Sequence, residues 1–541
     1  MSAAEILVAI AQLATLFRDA DGDTAFATFD VNGHRETWPV RSKSFRRWLV
    51  GKFYGVEGKP PGGQAVADAL GVIEARAQFS SPVAPVHVRV AGDDECIYVD
   101  LADELWRAVK VTADGWRVVA DAPVEFRRAR GMLALPEPKS GGSLRELRAL
   151  INITSEDEWT LLVAWLVAAL RPIGPYPVFS LFGEHGTAKT TTQELLRALV
   201  DPNVAMLRAA PGDVRDVMIA ATNGWVVALD NLSDLDDWLS DCLCRLATGG
   251  GFSTRELYSD NAETIFSAQR PTMLNGIESV VSRGDLLDRA IIVDLPRVPD
   301  NQRRQRRELW SAFEAARPRI LGALLDGVSA ALRVHRDIRL ASLPRMADFA
   351  VWAYAAASAP ALTISREQFL KAYDANRSTA HEVALEASVI ASAVRALADK
   401  SETWSGTAAE LLEALNKEAD EATKRLKTWP AAPRRLAGGL RRAAPHLRAV
   451  GVAIEFTDDR TLGARRRQII VQNGKAKDRS DRSDRSITGP GDPSGNDGND
   501  RNDEIPSLSS PVGAPPCSRC GKESRRPGFQ WCPSCFASAP R

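Results

Sequence analysis

The chain has 541 residues, 45% hydrophobic and 26% charged, with 69 Lys and Arg against 69 Asp and Glu. That length implies roughly three to four domains, and the apolar content excludes a chain that is disordered throughout. The even charge excludes a wholly basic coat protein and leaves only local patches.

The start, Met1-Ser-Ala-Ala-Glu5, lacks the basic opening and apolar core of a secretory signal. Residues 1–75 read as a helical region. Ala4–Phe17 carries apolar residues at helical spacing. Phe45–Phe53 mixes aromatics with Arg46, Arg47, Trp48 and Lys52. It suits either a surface helix with an aromatic inner face or a nucleic-acid contact. Residues 76–143 form a small β-rich region, from the alternation in Val86–Val90, Cys96–Leu101 and Trp116–Val119. No carboxylate pair there points to a primase or polymerase site, and Pro136–Gly142 reads as a linker. The longest apolar run, Leu161–Leu170, is about half a membrane span. It follows Ser155 and Glu158 in a capping-box pattern, so it reads as a buried helix of a soluble domain. The cytoplasm is the expected compartment, with no membrane partner.

Residues 144–330 hold the central motif. Val178–Phe182 is an apolar strand, 183–189 a glycine-bearing loop and Thr190–Val200 a helix. In a nucleotide-triphosphate loop of this order, the backbone N–H groups of Gly183, Glu184, His185, Gly186, Thr187, Ala188 and Lys189 wrap phosphates. Lys189 reaches the β/γ oxygens, the helix N-terminus faces the same anion, and the hydroxyl of Thr190 or Thr191 binds Mg²⁺. The pattern wants glycine before the lysine. Ala188 stands there, which works if its φ is negative and its methyl points away from the phosphates.

Trp225–Asp230 is a buried parallel strand that delivers Asp230 to the Mg²⁺. Many such ATPases place a glutamate next, to polarise the attacking water; here it is Asn231. Asparagine orients a water but cannot take its proton. The base is Glu184, Asp234 or Asp236, or the proton passes directly to phosphate. Gly249–Arg270 reads as strand, polar turn at Ser259–Asn261, and strand. Thr272–Asn275 is an apolar strand ending in an asparagine, which suits a γ-phosphate sensor. Asp285–Ala290 then enters the strand Ile291–Leu295.

At this point the ordered set resembles a known family. With the loop and Asp230, residues Gly251, Arg255, Leu257, Tyr258, Phe266, Pro271 and Asn275 resemble the superfamily-3 helicase ATPases of viral, phage and mobile-element replication proteins. More narrowly, they look like the primase–helicase-type ATP-binding proteins of prophages and integrative elements. The resemblance covers residues 145–330. It implies an α/β P-loop NTPase core of AAA+/superfamily-3 type and a homo-oligomeric ring such as a hexamer. It also implies single-stranded or forked DNA and other replication proteins as partners. By the same likeness Arg289 in Leu286-Leu-Asp-Arg289-Ala is an arginine finger, with Arg283 second. Arg255 and Tyr258 either face the channel and grip single-stranded DNA, or belong to a lid hairpin without DNA contact. The departures, Ala188 and Asn231, bear on hydrolysis rate more than on nucleotide binding.

Helices are expected over 305–395, with Trp310, Phe313, Trp352 and Tyr354 in the core and residues 331–396 as a helical region. Arg303, Arg304, Arg306 and Arg307 read as a solvated helix start or a contact site. Residues 397–472 look like a winged helix, with DNA contacts from Arg434, Arg435, Arg441 and Arg442 and an arginine-rich hairpin tip. Residues 473–512 form a disordered linker. Residues 513–541 form a zinc ribbon, with Cys517, Cys520, Cys532 and Cys535 as ligands and Arg519, Lys522, Arg525 and Arg526 around them. Cys96, Cys242 and Cys244 read as buried structural thiols. The function expected is an ATP-dependent DNA-remodelling ATPase using ATP, Mg²⁺ and Zn²⁺, a ring helicase of a phage or mobile element. The alternative is an ATP-driven switch, a replication initiator or phage-defence sensor, that binds nucleic acid without processive unwinding.

Overall fold

The computed structural model describes residues 1–20, 24–255, 263–277, 281, 283–401, 403–426, 428–459 and 466–473. The N-terminal residues form α1 (Ala3–Ile10), strands β1 (Thr15–Arg18), β2 (Ala25–Val31) and β3 (His34–Pro39), then α2 (Lys43–Glu57) and α3 (Gly63–Phe79). The expectation of helix throughout 1–75 is therefore corrected. The three strands form one antiparallel sheet. The turn from β2 to β3 is Asn32-Gly33, with φ 49° and 89°, the pair of positive angles a two-residue hairpin needs. On α2, Phe45, Leu49 and Phe53 are buried while Arg46, Arg47 and Lys52 are exposed, the amphipathic arrangement of a surface helix.

Next come β4 (Val86–His87), β5 (Val90–Gly92), β6 (Cys96–Asp100), β7 (Ala108–Thr112), β8 (Gly115–Val119) and β9 (Glu125–Phe126). β5 to β8 make an antiparallel meander, and β4 pairs with β9. A buried ion pair ties the meander to the central part of the chain. Arg89 Nε lies 3.2 Å from Asp201 Oδ1, with side chains 0% and 1% exposed. The other guanidinium nitrogens donate to the carbonyls of Asp100 and Leu133. Asp201 Oδ2 accepts from the amides of Trp225 and Val226. Both charges thus have the partners that burial demands.

The central part runs α4 (Arg145–Arg148), α5 (Glu156–Ala168), β10 (Val178–Phe182), α6 (Lys189–Val200), α7 (Val214–Asn223), β11 (Val227–Leu232), α8 (Asp237–Thr248), β12 (Gly250–Arg255), β13 (Glu263–Ala268), β14 (Thr272–Gly276), α9 (Gly284–Leu287) and β15 (Ala290–Asp294). Four of these strands form a parallel sheet in the order β11-β14-β10-β15. Their sequences are apolar because helices cover both faces. β12 and β13 pair as an antiparallel hairpin.

Helices α10 (Arg306–Val334), α11 (Ala347–Ala356) and α12 (Arg366–Glu386) complete this part. One continuous apolar core runs from Val90 in the meander through the parallel sheet to Ala384 in α12, and Phe313 and Trp352 lie in it. The expected linker Pro136–Gly142 is instead a strap packed on α10. Lys139 N donates to Pro318 O at 2.9 Å. A Cβ on Gly142 would lie 2.0 Å from Arg319 O, and one on Gly322 would lie 1.9 Å from Lys139 O. Backbone meets backbone there, which is why glycine occupies both positions.

The C-terminal part has its own core, built by α13 (Val389–Lys400), β16 (Thr403–Thr407), α14 (Ala408–Glu418), α15 (Glu421–Lys424), α16 (Pro433–Ala449), β17 (Val452–Asp459) and β18 (Arg466–Asn473). Its antiparallel sheet has the order β16-β18-β17. Among the described residues no helix is long and apolar enough to cross a membrane.

Candidate functional site at the strand tips

Parallel strands deliver their carboxyl ends to one edge of the sheet, where a topological crossover opens a crevice. Leu181 of β10 sits opposite Asn275 of β14, and Phe182 opposite Asp294 of β15. The ladder between β11 and β14 shifts register between Leu229 and Leu232. Asn231 takes φ 55° within that irregularity. The bulge turns Asp230 toward its neighbours.

Thr190 Oγ1 donates to Asp230 Oδ1 at 3.0 Å. Asn275 Nδ2 donates to the same oxygen at 2.6 Å, and its Oδ1 accepts the N–H of Asn231 at 2.7 Å. Asn275 Nδ2 also donates to Gln193 Oε1, whose amide nitrogen donates to Leu229 O at 3.0 Å. Gln193 and Asn275 are 0% and 1% exposed, so this network is fixed from inside.

The loop between β10 and α6 needs special backbone. Gly183 has φ 139°, and a Cβ there would lie 2.5 Å from Leu295 O. Gly186 has φ 81°. Ala188 has φ 66° and ψ 27°, which corrects the expectation of a negative φ. The exposed methyl clears the fold, but the left-handed conformation still costs a residue with a Cβ about 1–2 kcal/mol. Lys189 Nζ donates to Gly183 O at 2.6 Å and to Glu184 O at 2.8 Å. Burial pushes its pKa down, and Asp294 opposes that. From behind, Asn152 Nδ2 donates to the carbonyls of Thr187 and Pro296, and Val298 N to Gly186 O. Thr191 is half-buried in the first turn of α6.

Sequence reasoning missed four residues at this edge. Asp294 ends β15 beside Lys189; burial and then the charge of Glu184 hold its carboxyl above the usual range, against Lys189. An apolar strand ending in aspartate, the signal that found Asp230, was there to find it. Glu158 is also diverted. Ser155 caps α5 by accepting from Glu158 N, but the Glu158 carboxylate takes Asp294 N at 2.9 Å instead of closing the capping box. Arg297 joins Glu184, His185 and Ile277 around a cleft of ≈ 380 Å³. Gln193 is the fourth, readable only as a polar residue on the apolar side of α6. Arg303 Nη2 also comes within 3.4 Å of a Cβ position on Gly186.

Of the three candidate bases, Glu184 lines this cleft. Asp234 accepts from Leu235 N, and Asp236 from Trp238 Nε1. Arg289 precedes β15 and so lies at the opposite end of that strand from Asp294. There it donates to Asp285 O at 2.5 Å. Arg283 pairs with Asp237 and Asp241 at 3.3 and 3.1 Å. Arg434, Arg435, Arg441 and Arg442 are all exposed on α16, with Arg441 over the Phe456 ring at 4.9 Å. Tyr258, the Ser259–Asn261 turn, the hairpin tip, the linker, Cys517, Cys520, Cys532 and Cys535 lie outside the described residues, as does the Arg255 side chain.

Residues 144–397 match a family model described as actinomycete integrative conjugative element replication protein. Residues 390–485 match the model of the C-terminal domain of that protein. Over this region the chain is similar to integrative-element replication proteins. The matched region thus takes in both the strand-tip site and α16. Among solved structures, the apo NrS-1 C-terminal region is similar at 11% identity over 85% of this chain and 97% of that chain, with a TM-score of 0.38. A JCV helicase bound to a thiazolopyridine acetamide is similar at 13% identity over 44% of this chain and 72% of that one, with a TM-score of 0.20. No curated protein matches the chain.

Proposed function

We propose that the chain is an ATP-dependent DNA-remodelling ATPase, a ring-forming helicase-like motor in replication of an integrative element. The observation that carries this reading is the linked set Thr190–Asp230–Asn275 beside Lys189 at the start of α6. A hydroxyl and a carboxylate at hydrogen-bond distance suit Mg²⁺ bridging to phosphate, and Lys189 suits the β/γ-phosphates. Asn275 is aimed at the γ-phosphate or its attacking water. Arg289, at the other end of β15, reaches the nucleotide of a neighbouring subunit. The order helix, strand, three helices and two strands over 389–473 supports a winged helix that presents the α16 arginines to DNA phosphates. The cysteine-rich tail holds Zn²⁺.

The test is Mg²⁺-dependent phosphate release together with strand separation on forked DNA. The reading requires both in the unaltered protein and neither in Lys189→Ala. Asn231 favours a second reading, a switch that turns over ATP slowly without unwinding. It stands where a carboxylate base would, and its N–H is bound to Asn275. Hydrolysis without strand separation would select that alternative.

A further inference from the structure

Three potential ligands from distant parts of the chain meet outside the strand-tip site. Asp288 comes directly after α9, His381 lies on α12 and His446 on α16. Their ligand atoms all lie within 4.8 Å of one another. His381 Nδ1 and His446 Nδ1 are 2.9 Å apart, and Asp288 Oδ1 is 3.9 Å from His381 Nδ1. Two imidazole nitrogens at that separation either share one proton or turn both lone pairs on one cation.

The surroundings favour the cation. His446 is only 6% exposed, and a Cβ on Gly284 would lie 2.0 Å from its Nε2. The bare backbone of α9 therefore seats the ring with Nδ1 toward the cluster. Arg345 Nη1 donates to Asp288 Oδ2 at 3.1 Å, which orients the carboxylate and leaves Oδ1 to the cluster, the usual role of a group that supports a metal ligand. The charged groups facing the pair are Asp288, Arg345 and Arg377. Burial lowers the pKa of His381, with Asp288 opposing and His446 and Arg377 adding to it.

We infer that Asp288, His381 and His446 bind a divalent transition ion of the zinc class, which clasps α16 to the turn leading into Arg289. Two imidazoles and one carboxylate, with water in the fourth position, suit zinc, cobalt or nickel rather than magnesium or calcium. With bonds of about 2.0–2.1 Å, tetrahedral ligand atoms stand roughly 3.3 Å apart, between the two separations seen here. The site needs no nucleotide. Only its consequence, that the ion couples α16 to the proposed finger segment, rests on the ATPase reading.

The test uses the full chain, stripped with chelator and titrated with Zn²⁺ and then Co²⁺. Unaltered protein should take up one equivalent more than Asp288→Asn, His381→Gln or His446→Gln, and tail substitutions such as Cys532→Ser should leave that equivalent in place. Any binding that remains at the altered site should be at least about tenfold weaker. Equal uptake by unaltered protein and all three variants overturns the proposal, as does loss of the equivalent on tail substitution alone. A readout free of any altered ligand comes from proton NMR of the six histidines. Co²⁺ should shift or broaden two imidazole ring signals together, and Co²⁺ uptake that leaves every histidine signal unmoved sinks the site.

Discussion

The two ends of the parallel sheet satisfy their polar groups in different ways. At the carboxyl ends, Lys189, Thr190, Asp230, Asn231 and Asn275 bind one another or nearby backbone, and buried Gln193 braces the network. Arg283, between β14 and α9, pairs with Asp237 and Asp241, whose side chains are 92% and 57% exposed, and the amino end itself carries Arg289. Arg289 donates to a carbonyl, while its buried Nε has no partner among the described residues. The first arrangement is preorganised and complete within one chain. The Arg283 pairs, being largely exposed, contribute about 0–1 kcal/mol, and Arg289 keeps one buried donor unmatched. Under the proposed function, the first end serves its own nucleotide and the second a neighbour's.

Breaking the carboxyl-end network should have the largest effect. Lys189→Ala should reduce ATP hydrolysis to background while leaving the thermal unfolding transition in place; phosphate release and a melting curve check both halves. Normal turnover would remove Lys189 from the chemistry. The amino end comes next. Arg289→Ala should bind ATP about as well as the unaltered chain yet hydrolyse it on the order of 10³–10⁵-fold more slowly. Mixing it with Lys189→Ala should restore part of the rate, because each chain supplies what the other lacks. Without rescue in mixed samples, the idea that the amino end serves a neighbour falls.

A smaller effect tests what holds the sheet to the meander. Arg89→Ala leaves Asp201 charged and buried, so it should cost about 3–5 kcal/mol of stability, read by denaturant unfolding. A change within experimental error would mean that Asp201 is reached by water. The smallest effect sharpens the loop itself. Ala188→Gly relieves a left-handed φ and should give a net change of at most about 1 kcal/mol, because glycine's greater freedom in the unfolded chain offsets the relief. A large loss of stability would mean that the alanine methyl packs against something.

The parts that were legible had local signals. Strand, loop and helix around Lys189 arise from apolar runs and two glycines, and Asn275 from its place at a strand end. Phe45, Leu49 and Phe53 gave the inner face of α2 by helical spacing alone. The misses also have physical causes. β2, Ala25-Phe-Ala-Thr-Phe-Asp-Val31, has four β-favouring residues in seven and leads into the Asn32-Gly33 turn, a strand signal that the helical spacing of its flanks overshadowed. The positive φ of Ala188 comes from the demands of the loop, against the preference of the residue. Glu158 fits a capping box but serves a strand 136 residues away. His381 and His446 are 65 residues apart and unremarkable as sequence, so only the packing of α12 against α16 brings them together.

The Arg89–Asp201 pair bears on where this protein can be cut. The matched region begins at residue 144, yet the part it contains is bonded through Arg89 to a meander that begins at Val90. A fragment starting at 144 would keep the Asp201 carboxylate and lose its cation, and would bare the apolar surface against which Val90, Ile97, Val99 and Val109 pack. Sequence kinship and mechanical unity therefore divide the chain at different places. The smallest piece that keeps this ion pair and its shared core starts upstream of the matched region.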